Sequence, residues 1–364
     1  SKRRSIKMSE NFRLDKGGLI NRNKKISFIF NGKKYLGYEG DTLASALIAN
    51  GVHLVGRSFK YHRPRGFFGA GVDEPYAIVQ MNRNNEVDPN VRATEQELFE
   101  GLEAKSVNCW PNVDFDIGAI NNFLGKFFPA GFYYKTFMWP KSFWHKVYEP
   151  IIRKAAGFGA ASIKHDKERY EHKYEYCDLL IAGSGPSGLA SAYAAAQNGA
   201  KVILAEDKSR FGGSLLTSEV TIGNQSGQEW SEKIISELKS MSNVIVKNRS
   251  QVFGYYDHNM LVMSERISDH LPETEKYSPK QRLWYIRAKE VIISSGSIER
   301  PLVFGNNDTP GVMLSSAAKE YLKIYGVLVG KKPLVFTNND SGYETAIEFK
   351  KNGIDPVVLD TRKD

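Results

Sequence analysis

The sequence predicts an α/β protein that carries a smaller α+β unit ahead of its main α/β domain. Three observations lead to this prediction. Residues 26–92 contain short strand-like runs around one helix-like run, as small α+β units do. From residue 176 onward, apolar strands alternate with helices, which is typical of an α/β domain. A glycine-rich segment at 183–188 joins the first of those strands to the first of those helices.

The length and composition bound the class of protein. A chain of 364 residues corresponds to two or three domains. The hydrophobic fraction of 41% and the charged fraction of 25% are close to globular averages and exclude wholesale disorder. The sequence contains no run of about 18 apolar residues, so no transmembrane helix is predicted. Its charged start is unlike a signal peptide. Because the chain lacks an initiator Met and its last parallel sheet has two predicted strands, we expect a fragment of a longer protein.

The positive charge is concentrated at the N-terminus. The net charge is +9, and residues 1–25 hold nine Lys or Arg against Glu10 and Asp15. We predict a basic arm at 1–25, which could contact nucleic acid or anionic lipid but is more simply a solvated tail. We therefore expect neither a nucleic-acid nor a membrane partner. Two distant cysteines, Cys109 and Cys177, fit free thiols in a reducing, cytoplasmic compartment.

The N-terminal unit is predicted element by element. Strand Ile26–Phe30 and return strand Lys33–Tyr38 flank Asn31-Gly32, a strong signal for a two-residue hairpin. Asp41 is the predicted N-cap of a helix at Thr42–Asn50, which Gly51 ends. A loop follows, and Tyr76–Met81 is the next predicted strand.

Residues 105–175 form a predicted connector rich in aromatic residues. No clean period emerges, so the segment is either a contact surface for another chain or a packed connector. Its charged end, residues 164–175, is predicted to be a linker or a short exposed helix. The aromatic residues concerned are Trp110, Phe115, Phe123, Phe127, Phe128, Phe132, Tyr133, Tyr134, Phe137, Trp139, Phe143 and Trp144.

Alternating elements predict a dinucleotide-binding domain at 176–308. A second α/β unit is predicted after it, with strand Leu334–Thr337, a helix at Tyr343–Lys351 and strand Pro356–Leu359. In the first domain the predicted elements are strand Tyr176–Ala182, helix Ser187–Asn198, strand Lys201–Ala205, helix Gln228–Met241, and strands Val244–Val246, Val252–Asp257, Met260–Ser264, Trp284–Ala288 and Val291–Ser294.

The glycine motif has the spacing that a dinucleotide requires. Gly183 permits the tight turn, Gly185 lets the backbone approach a pyrophosphate, and Gly188 lets helix and strand pack closely. The N-terminus of the helix attracts phosphate. Glu206 lies 18 residues after Gly188, where a carboxylate accepts hydrogen bonds from a ribose hydroxyl and repels a 2′-phosphate. The motif therefore favours NAD or FAD over NADP.

Small residues elsewhere in the domain are predicted to approach the same nucleotide. Gly212 and Gly213 follow Glu206 closely, and a later strand ends at Ser295-Gly296. No catalytic acid–base pair is evident, and the seven histidines lack metal-ligand spacing, so no catalytic or metal-binding residue is predicted. The predicted cofactor-binding residues are Gly183, Ser184, Gly185, Pro186, Ser187, Gly188, Glu206, Asp207, Arg210, Gly212, Gly213, Ser214, Ser295 and Gly296.

The order of these motifs resembles that of the two-dinucleotide-binding flavoproteins. In that superfamily a second nucleotide-binding domain is inserted, and Thr309-Pro310-Gly311-Val312 stands at the corresponding place. We therefore predict the truncated start of such a domain at 309–364. Its loop, Thr337-Asn338-Asn339-Asp340-Ser341-Gly342, has one glycine, so we expect no second dinucleotide there.

Three blocks of sequence stand out: Gly40–Leu47 with Arg57–Gly66, Gly69–Pro75 with the glycine motif, and Phe336–Asp340. In these blocks the chain resembles the N-terminal part of the alpha subunits of heterotetrameric sarcosine oxidase. The resemblance implies a ferredoxin-like β-grasp domain at 26–104, followed by a Rossmann-type two-dinucleotide-binding domain. Related dehydrogenases have cluster cysteines where residues 56–71 stand here, and the absence of cysteine there predicts no iron–sulfur cluster. The basic loop Arg57–Arg65 is either an anion site or a solvated or structural loop.

The resemblance also implies cofactors, partners and a reaction. NAD would lie on this chain, FAD on a beta subunit and FMN between alpha and beta, with tetrahydrofolate on a C-terminal domain beyond this sequence. The implied partners are beta, gamma and delta subunits and a small-molecule substrate. The implied reaction is oxidative demethylation of sarcosine to glycine, which gives formaldehyde or 5,10-methylene-tetrahydrofolate and hydrogen peroxide.

Two other functions stay open at this point. One is the FAD-binding subunit of a dye-linked amino-acid dehydrogenase, or another pyridine-nucleotide-type flavoprotein, with FAD on the segment 183–188. The missing cluster cysteines count against the dehydrogenase. The other is a non-catalytic assembly subunit that uses the aromatic segment as its interface, and the intact glycine motif counts against it.

Overall fold

The computed structural model describes residues 11–83, 86–125, 131, 137, 139–155, 162–273 and 277–362. The chain divides into two compact units. The first unit combines residues 1–166 with residues 299–364, and the second consists of residues 167–298. The second unit is therefore an insertion in the sequence of the first.

The first unit starts with a mixed β-sheet. In the described residues the sheet has five strands in the order β2-β1-β5-β3-β4, with β1 and β5 parallel and the other neighbours antiparallel. Phe28 and Phe30 are buried, and so is the whole of helix α1. The elements are β1 at Asn21–Phe30, β2 at Lys33–Glu39, α1 at Leu43–Ala49, β3 at Ile78–Arg83, β4 at Glu86–Arg92 and β5 at Glu103–Ser106.

The predicted hairpin is confirmed, whereas the predicted helix cap is wrong. Asn31 and Gly32 have φ values of 50° and 74°, as a two-residue turn of the mirror-image type requires. Thr42, not Asp41, caps α1 and forms a capping box with Ser45. Asp41 is instead a buried acceptor, because its carboxylate receives the Ser45 hydroxyl at 2.6 Å and the Tyr38 backbone N–H at 2.9 Å.

Residues 11–25 belong to the folded unit, where the sequence predicted a solvated basic arm at 1–25. The two terminal nitrogens of Arg13 donate to Asp41 at 3.0 and 2.7 Å, and both side chains are buried. Strand β1 begins at Asn21 rather than at residue 26. Residues 1–10 lie outside the described residues.

The aromatic connector presents many of its described apolar side chains to solvent. Helix α2, at Glu149–Ala155, follows in the same stretch. Phe127, Phe128, Phe132, Tyr133 and Tyr134 lie outside the described residues. The described residues with exposed large apolar side chains include Trp110, Phe115, Ile117, Ile120, Phe123, Leu124, Trp139, Phe143, Val147 and Ile151.

The second unit is built on a mixed sheet with the strand order β8-β7-β6-β11-β10-β9. Strands β8, β7, β6 and β11 are parallel, and β10 and β9 complete an antiparallel meander. Helices α3 and α4 pack on one apolar cluster with β6 and β7. The elements are β6 at Tyr170–Ala182, α3 at Pro186–Gln197, β7 at Val202–Ala205, α4 at Gly227–Ser240, β8 at Val244–Lys247, β9 at Ser250–Tyr256, β10 at Met260–Arg266 and β11 at Gln281–Ile293.

The alternation predicted from residue 176 is present, with two differences in its strands. Residues 170–175, predicted to be a linker or a short helix, extend β6 toward its N-terminus. The two strands predicted at 284–288 and 291–294 are one strand, β11, which pairs with β6 along almost its whole length. Strand pairing overrides local composition here, because each long strand supplies the hydrogen-bond partners of the other.

Residues 299–364 return to the first unit. Helix α5, at Ser315–Tyr325, was not predicted, and it packs against α6 at Ser341–Lys351 through Leu322 and Phe349. Strands β12, at Leu334–Thr337, and β13, at Val357–Asp360, are parallel. The sequence placed a separate domain at 309–364, whereas in the structure this segment is part of the same compact unit as the N-terminal sheet.

Among the described residues, none of the helices is long and apolar enough to cross a lipid bilayer.

Candidate dinucleotide site

The glycine motif lies in the turn between β6 and α3, as the sequence predicts. Gly183 has φ +104°, and a Cβ atom on it would lie 2.3 Å from the carbonyl oxygen of Ser294. A Cβ on Gly188 would lie 2.0 Å from the carbonyl oxygen of Gly183. Both positions therefore exclude any side chain, Gly183 because of the turn and Gly188 because α3 packs tightly on the strand end.

Gly185 differs from the other two glycines because space lies beside it. A Cβ atom placed there would meet no other atom within 4 Å. Gly185 is also the N-cap of α3, a 12-residue helix with Pro186 at its start, and within the described residues no side chain caps it. The positive end of the helix dipole thus meets an open surface, which is the arrangement that suits a phosphate group.

Glu206 is buried at the end of β7 and holds the glycine turn. One carboxylate oxygen accepts the backbone N–H of Ser184 at 2.9 Å and the Ser184 hydroxyl at 2.5 Å. The other accepts the backbone N–H of Lys208 at 3.1 Å. The structure therefore gives Glu206 a first role in shaping the turn, and its contact with a ribose stays a prediction.

The segment Gly212-Gly213 lies against the same turn. The backbone N–H of Gly212 donates to the Ser184 carbonyl oxygen at 3.1 Å, and Gly212 has φ +121°. A Cβ on Gly213 would come within 2.9 Å of the Gly185 Cα. The two segments that the sequence assigned to one nucleotide are thus brought into contact. Gly212 favours glycine because of its positive φ, and Gly213 because of its close approach to Gly185.

The remaining predicted residues lie around this turn. Ser214 is in the short 3-10 turn that follows Gly212, and Asp207 and Arg210 are half-buried in the loop before it. Ser295 and Gly296 follow Ser294 just after β11, and the Ser294 backbone N–H donates to the Ala182 carbonyl oxygen at 2.7 Å. Pro186 and Ser187 form the first turn of α3.

The sequence did not indicate two residues that hold the backbone of residues 206–209 by hydrogen bonds. The backbone N–H of Ser250, which is buried at the start of β9, donates to the Glu206 carbonyl oxygen at 2.7 Å. Asn248 donates from its side-chain amide to the Ser209 carbonyl oxygen at 2.7 Å. Neither residue belongs to a motif, because the contact depends on the chain turn after β8 and leaves no periodic signal.

The proton affinity of Glu206 gives a pH prediction. Burial, and then the neighbouring Asp207 carboxylate, raise the pKa of Glu206 to about 7 from 4.5. A carboxyl group whose pKa is raised on folding loses stabilisation as the pH rises from about 4.5 to about 7, because ionisation is then favoured in the unfolded chain. Relative to Glu206→Gln, wild-type stability should fall by up to about 3 kcal/mol between pH 5 and pH 8.

Urea unfolding of both proteins at four pH values between 5 and 8 measures this difference. Glu229→Gln is a suitable control, since Glu229 lies on the surface at the start of α4. A stability difference between wild type and Glu206→Gln that stays constant with pH would contradict the raised pKa.

The basic loop Arg57–Arg65 directs its guanidinium groups to partners within the first unit. Arg63 donates to both carboxylate oxygens of Asp308 at 2.8 and 2.7 Å, and Arg65 donates to the same carboxylate. Arg57 donates to the Val113 carbonyl oxygen at 2.9 and 2.6 Å. The sequence left open an anion site and a solvated or structural loop, and these internal contacts fit the structural loop.

Two family models match separate parts of the chain. One, described as a 2Fe-2S iron-sulfur cluster binding domain, matches residues 23–109. The other, described as an FAD dependent oxidoreductase, matches residues 178–265. The N-terminal sheet is therefore a ferredoxin-like domain, and the second unit carries a flavoprotein-type nucleotide domain.

The residues of the first matched domain do not fit an iron–sulfur cluster. Such a cluster needs four thiolate ligands, and Cys109 is the one cysteine within residues 23–109. Cys177 lies in β6 of the second unit, where burial raises the pKa of its thiol to about 12. In the described part of the chain no group of three or more His, Cys, Asp or Glu side chains could hold a metal ion.

Curated relatives and one solved structure complete the comparison. The sarcosine oxidase subunit alpha of Rhizobium meliloti strain 1021 is 51% identical over 352 residues, which cover 96% of this chain and 36% of that protein. The subunit of the same name from Corynebacterium sp. strain U-96 is 31% identical over 353 residues, which cover 95% of this chain and 32% of that protein. The chain thus spans about a third of the length of these relatives.

The crystal structure of L-proline dehydrogenase from P. horikoshii superposes with a TM-score of 0.63 at 21% identity, covering 98% of this chain and 56% of that chain. This likeness shows a shared fold. By sequence, the chain is similar over almost its whole length to about a third of each of two sarcosine oxidase alpha subunits.

Proposed function

We propose that this chain is the dinucleotide-binding part of an alpha subunit in a multi-subunit flavin oxidase, and that NAD binds at the turn between β6 and α3. The complete enzyme would oxidatively demethylate sarcosine to glycine, with formaldehyde or 5,10-methylene-tetrahydrofolate and hydrogen peroxide as the other products. FAD and FMN would bind elsewhere in the complex, and tetrahydrofolate would bind to a region beyond this sequence.

The observation that carries the nucleotide assignment is the open backbone at Gly185, at the uncapped start of α3. A pyrophosphate there would accept hydrogen bonds from the first N–H groups of the helix. Gly212 and Gly213 leave room for it, because neither has a side chain that could occupy the same space. Hydride chemistry is a property of the bound cofactor, and the part of this chain is to bind and orient it.

The choice of NAD over NADP depends on charge. Glu206 and Asp207 place two carboxyl groups at the end of β7, and an added 2′-phosphate would be repelled wherever either group is ionised. The identity of the relatives supports the oxidase assignment, because two proteins that match almost the whole chain bear the name sarcosine oxidase subunit alpha.

One observation favours a second candidate for the nucleotide. The match of residues 178–265 is to FAD dependent oxidoreductases, so FAD at the same turn is the alternative. That alternative corresponds to a flavoprotein dehydrogenase subunit, which would pass electrons to an acceptor other than oxygen.

Identification of the bound nucleotides decides between the two candidates. The complex should be purified after co-expression of the full-length protein with its neighbouring subunits, then denatured, and the released nucleotides identified by mass spectrometry. We expect NAD together with FAD and FMN. FAD alone, without NAD or FMN, would contradict the oxidase proposal and favour the assignment to a dehydrogenase subunit.

We further propose that other subunits of the oxidase, of the beta, gamma or delta type, cover the exposed apolar side chains at 110–124. Trp110, Phe115 and Phe123 are 68%, 68% and 82% exposed. Asp116 holds this segment in place, because its buried carboxylate accepts the backbone N–H groups of Trp110 at 3.0 Å and Gly118 at 3.2 Å. Exposed aromatic residues on a fixed backbone are typical of interface anchors.

A double substitution tests this interface. Phe115→Ser with Phe123→Ser should reduce the amount of the other subunits that co-purifies with the full-length protein by about tenfold or more, since each buried aromatic anchor contributes on the order of 2 kcal/mol to association. The melting temperature of the isolated protein should be unchanged, because both rings are exposed. Phe253→Ser, at an exposed position of β9, is the control. Full recovery of the complex with the double variant would contradict the proposal.

A further inference from the structure

The loop of the ferredoxin-like domain is arranged around one buried carboxylate. Residues 66–77 connect the basic loop to β3, and Glu74 within them is 1% exposed. One carboxylate oxygen of Glu74 accepts the backbone N–H groups of Phe68 at 2.6 Å and Gly69 at 2.8 Å. The other accepts the N–H groups of Tyr76 at 2.6 Å and Ala77 at 2.9 Å.

This set of contacts uses every lone-pair direction of an ionised carboxylate. A neutral carboxyl group would turn an O–H toward an N–H donor and lose at least one of the four bonds. Burial raises the pKa of Glu74, and the four N–H groups oppose that rise. The loop thus presents a cradle of backbone donors, of the kind that binds anions, and fills it with a side chain of its own.

Two carbonyl groups of the same loop accept hydrogen bonds from the C-terminal segment of the first unit. The Phe68 carbonyl oxygen accepts the Leu314 backbone N–H at 2.8 Å, and the Gly69 carbonyl oxygen accepts the Tyr321 hydroxyl at 3.0 Å. Tyr321 is buried on α5. The Phe68 carbonyl group shares a trans peptide plane with the Gly69 N–H and points the opposite way, so it is directed away from Glu74 and toward Leu314.

We infer that Glu74 is a built-in anion that organises the loop of a ferredoxin-like domain whose residues cannot hold a metal cluster, and that the loop so organised is the docking platform for α5. Iron–sulfur clusters also accept hydrogen bonds at their sulfur atoms from the surrounding protein. In this chain a carboxylate satisfies the donors of the loop. The loop then supports residues 314–321 through the Phe68 and Gly69 carbonyl oxygens.

The test replaces the internal anion by one from solution. Glu74→Ala removes a group equivalent to acetate, so acetate should bind in the cradle that remains, whereas acetamide, its neutral analogue of the same shape, should not. We expect the melting temperature of the full-length protein to fall by at least about 5 °C in Glu74→Ala and to recover saturably with acetate. Glu103→Ala, at an exposed position of β5, should change by less than about 1 °C and show no response to acetate.

A second variant keeps the inference testable if Glu74→Ala fails to fold. Glu74→Gln retains the shape but has one acceptor oxygen, so about half of the cradle should open. Hydrogen exchange should accelerate at least tenfold at one pair of amides, that of Phe68 and Gly69 or that of Tyr76 and Ala77, while β1 stays protected. Uniform protection in Glu74→Gln, equal recovery with acetamide, or a stoichiometric iron–sulfur spectrum in protein purified anaerobically would each overturn the inference.

Discussion

Substitution of Gly185 by valine should leave the protein folded and abolish nucleotide binding. The backbone of Gly185 has φ −66°, which any residue adopts, and a Cβ there meets no protein atom within 4 Å. The valine methyl groups would occupy the space next to the start of α3, where we propose that the pyrophosphate lies. We expect affinity for NAD to fall by at least about 100-fold, equivalent to about 2.8 kcal/mol. Calorimetric titration of the full-length protein after removal of bound nucleotide measures the change.

Gly188→Ala is the matched control for this prediction. Its Cβ would lie 2.0 Å from the Gly183 carbonyl oxygen, so α3 must move off the strand end. That variant should lose about 3 kcal/mol or more of stability, because backbone on both sides resists the displacement. Nucleotide binding that survives in Gly185→Val, with wild-type affinity, would place the ligand elsewhere and contradict the proposed site.

Removal of the Asp308 carboxylate should destabilise the first unit more than any surface change. Asp308 is about 20% exposed at its side chain and pairs with Arg63 and Arg65, which are 26% and 15% exposed. In Asp308→Ala two partly buried guanidinium groups lose their common partner. We expect the free energy of unfolding to fall by about 2–3 kcal/mol at pH 7. Urea unfolding of the full-length protein measures it.

The same ion pairs predict how this loss depends on pH. The Arg63 and Arg65 guanidinium groups hold the pKa of Asp308 well below its usual value of 3.8. A carboxylate whose pKa is lowered on folding stabilises the protein above about pH 4, and this contribution decreases as the pH falls further. The difference between wild type and Asp308→Ala should therefore be smaller at pH 3 than at pH 7.

Asp355→Ala provides the comparison within the same unit. Asp355 pairs with Lys350 at 3.3 Å, but both side chains are largely exposed, so its loss should cost less than about 1 kcal/mol. Equal losses for the Asp308 and Asp355 variants would show that burial of the Asp308 cluster adds nothing to stability.

The sequence by itself determined the features that depend on residues close together in the chain. The Asn31-Gly32 hairpin and the turn at 183–188 each favour glycine at particular places, because glycine adopts a positive φ with little strain and a side chain at Gly183 or Gly188 would clash. The alternation of strands and helices from residue 176 was predictable for a similar reason, since apolar periodicity records which face of each element is buried.

Only the tertiary structure decided the features that join distant residues. Asp41 was predicted to cap a helix, yet it forms a buried ion pair with Arg13, and Thr42 is the N-cap of α1. Asp308 was predicted to end the dinucleotide-binding domain at 176–308, but its ion pairs with Arg63 and Arg65 join it to the basic loop of the first unit. Glu206 was predicted to bind a ribose hydroxyl, whereas in the structure its carboxylate accepts the backbone N–H of Ser184. In each case a charged group is satisfied by a partner far away in sequence, and no local pattern can reveal which partner the fold brings near.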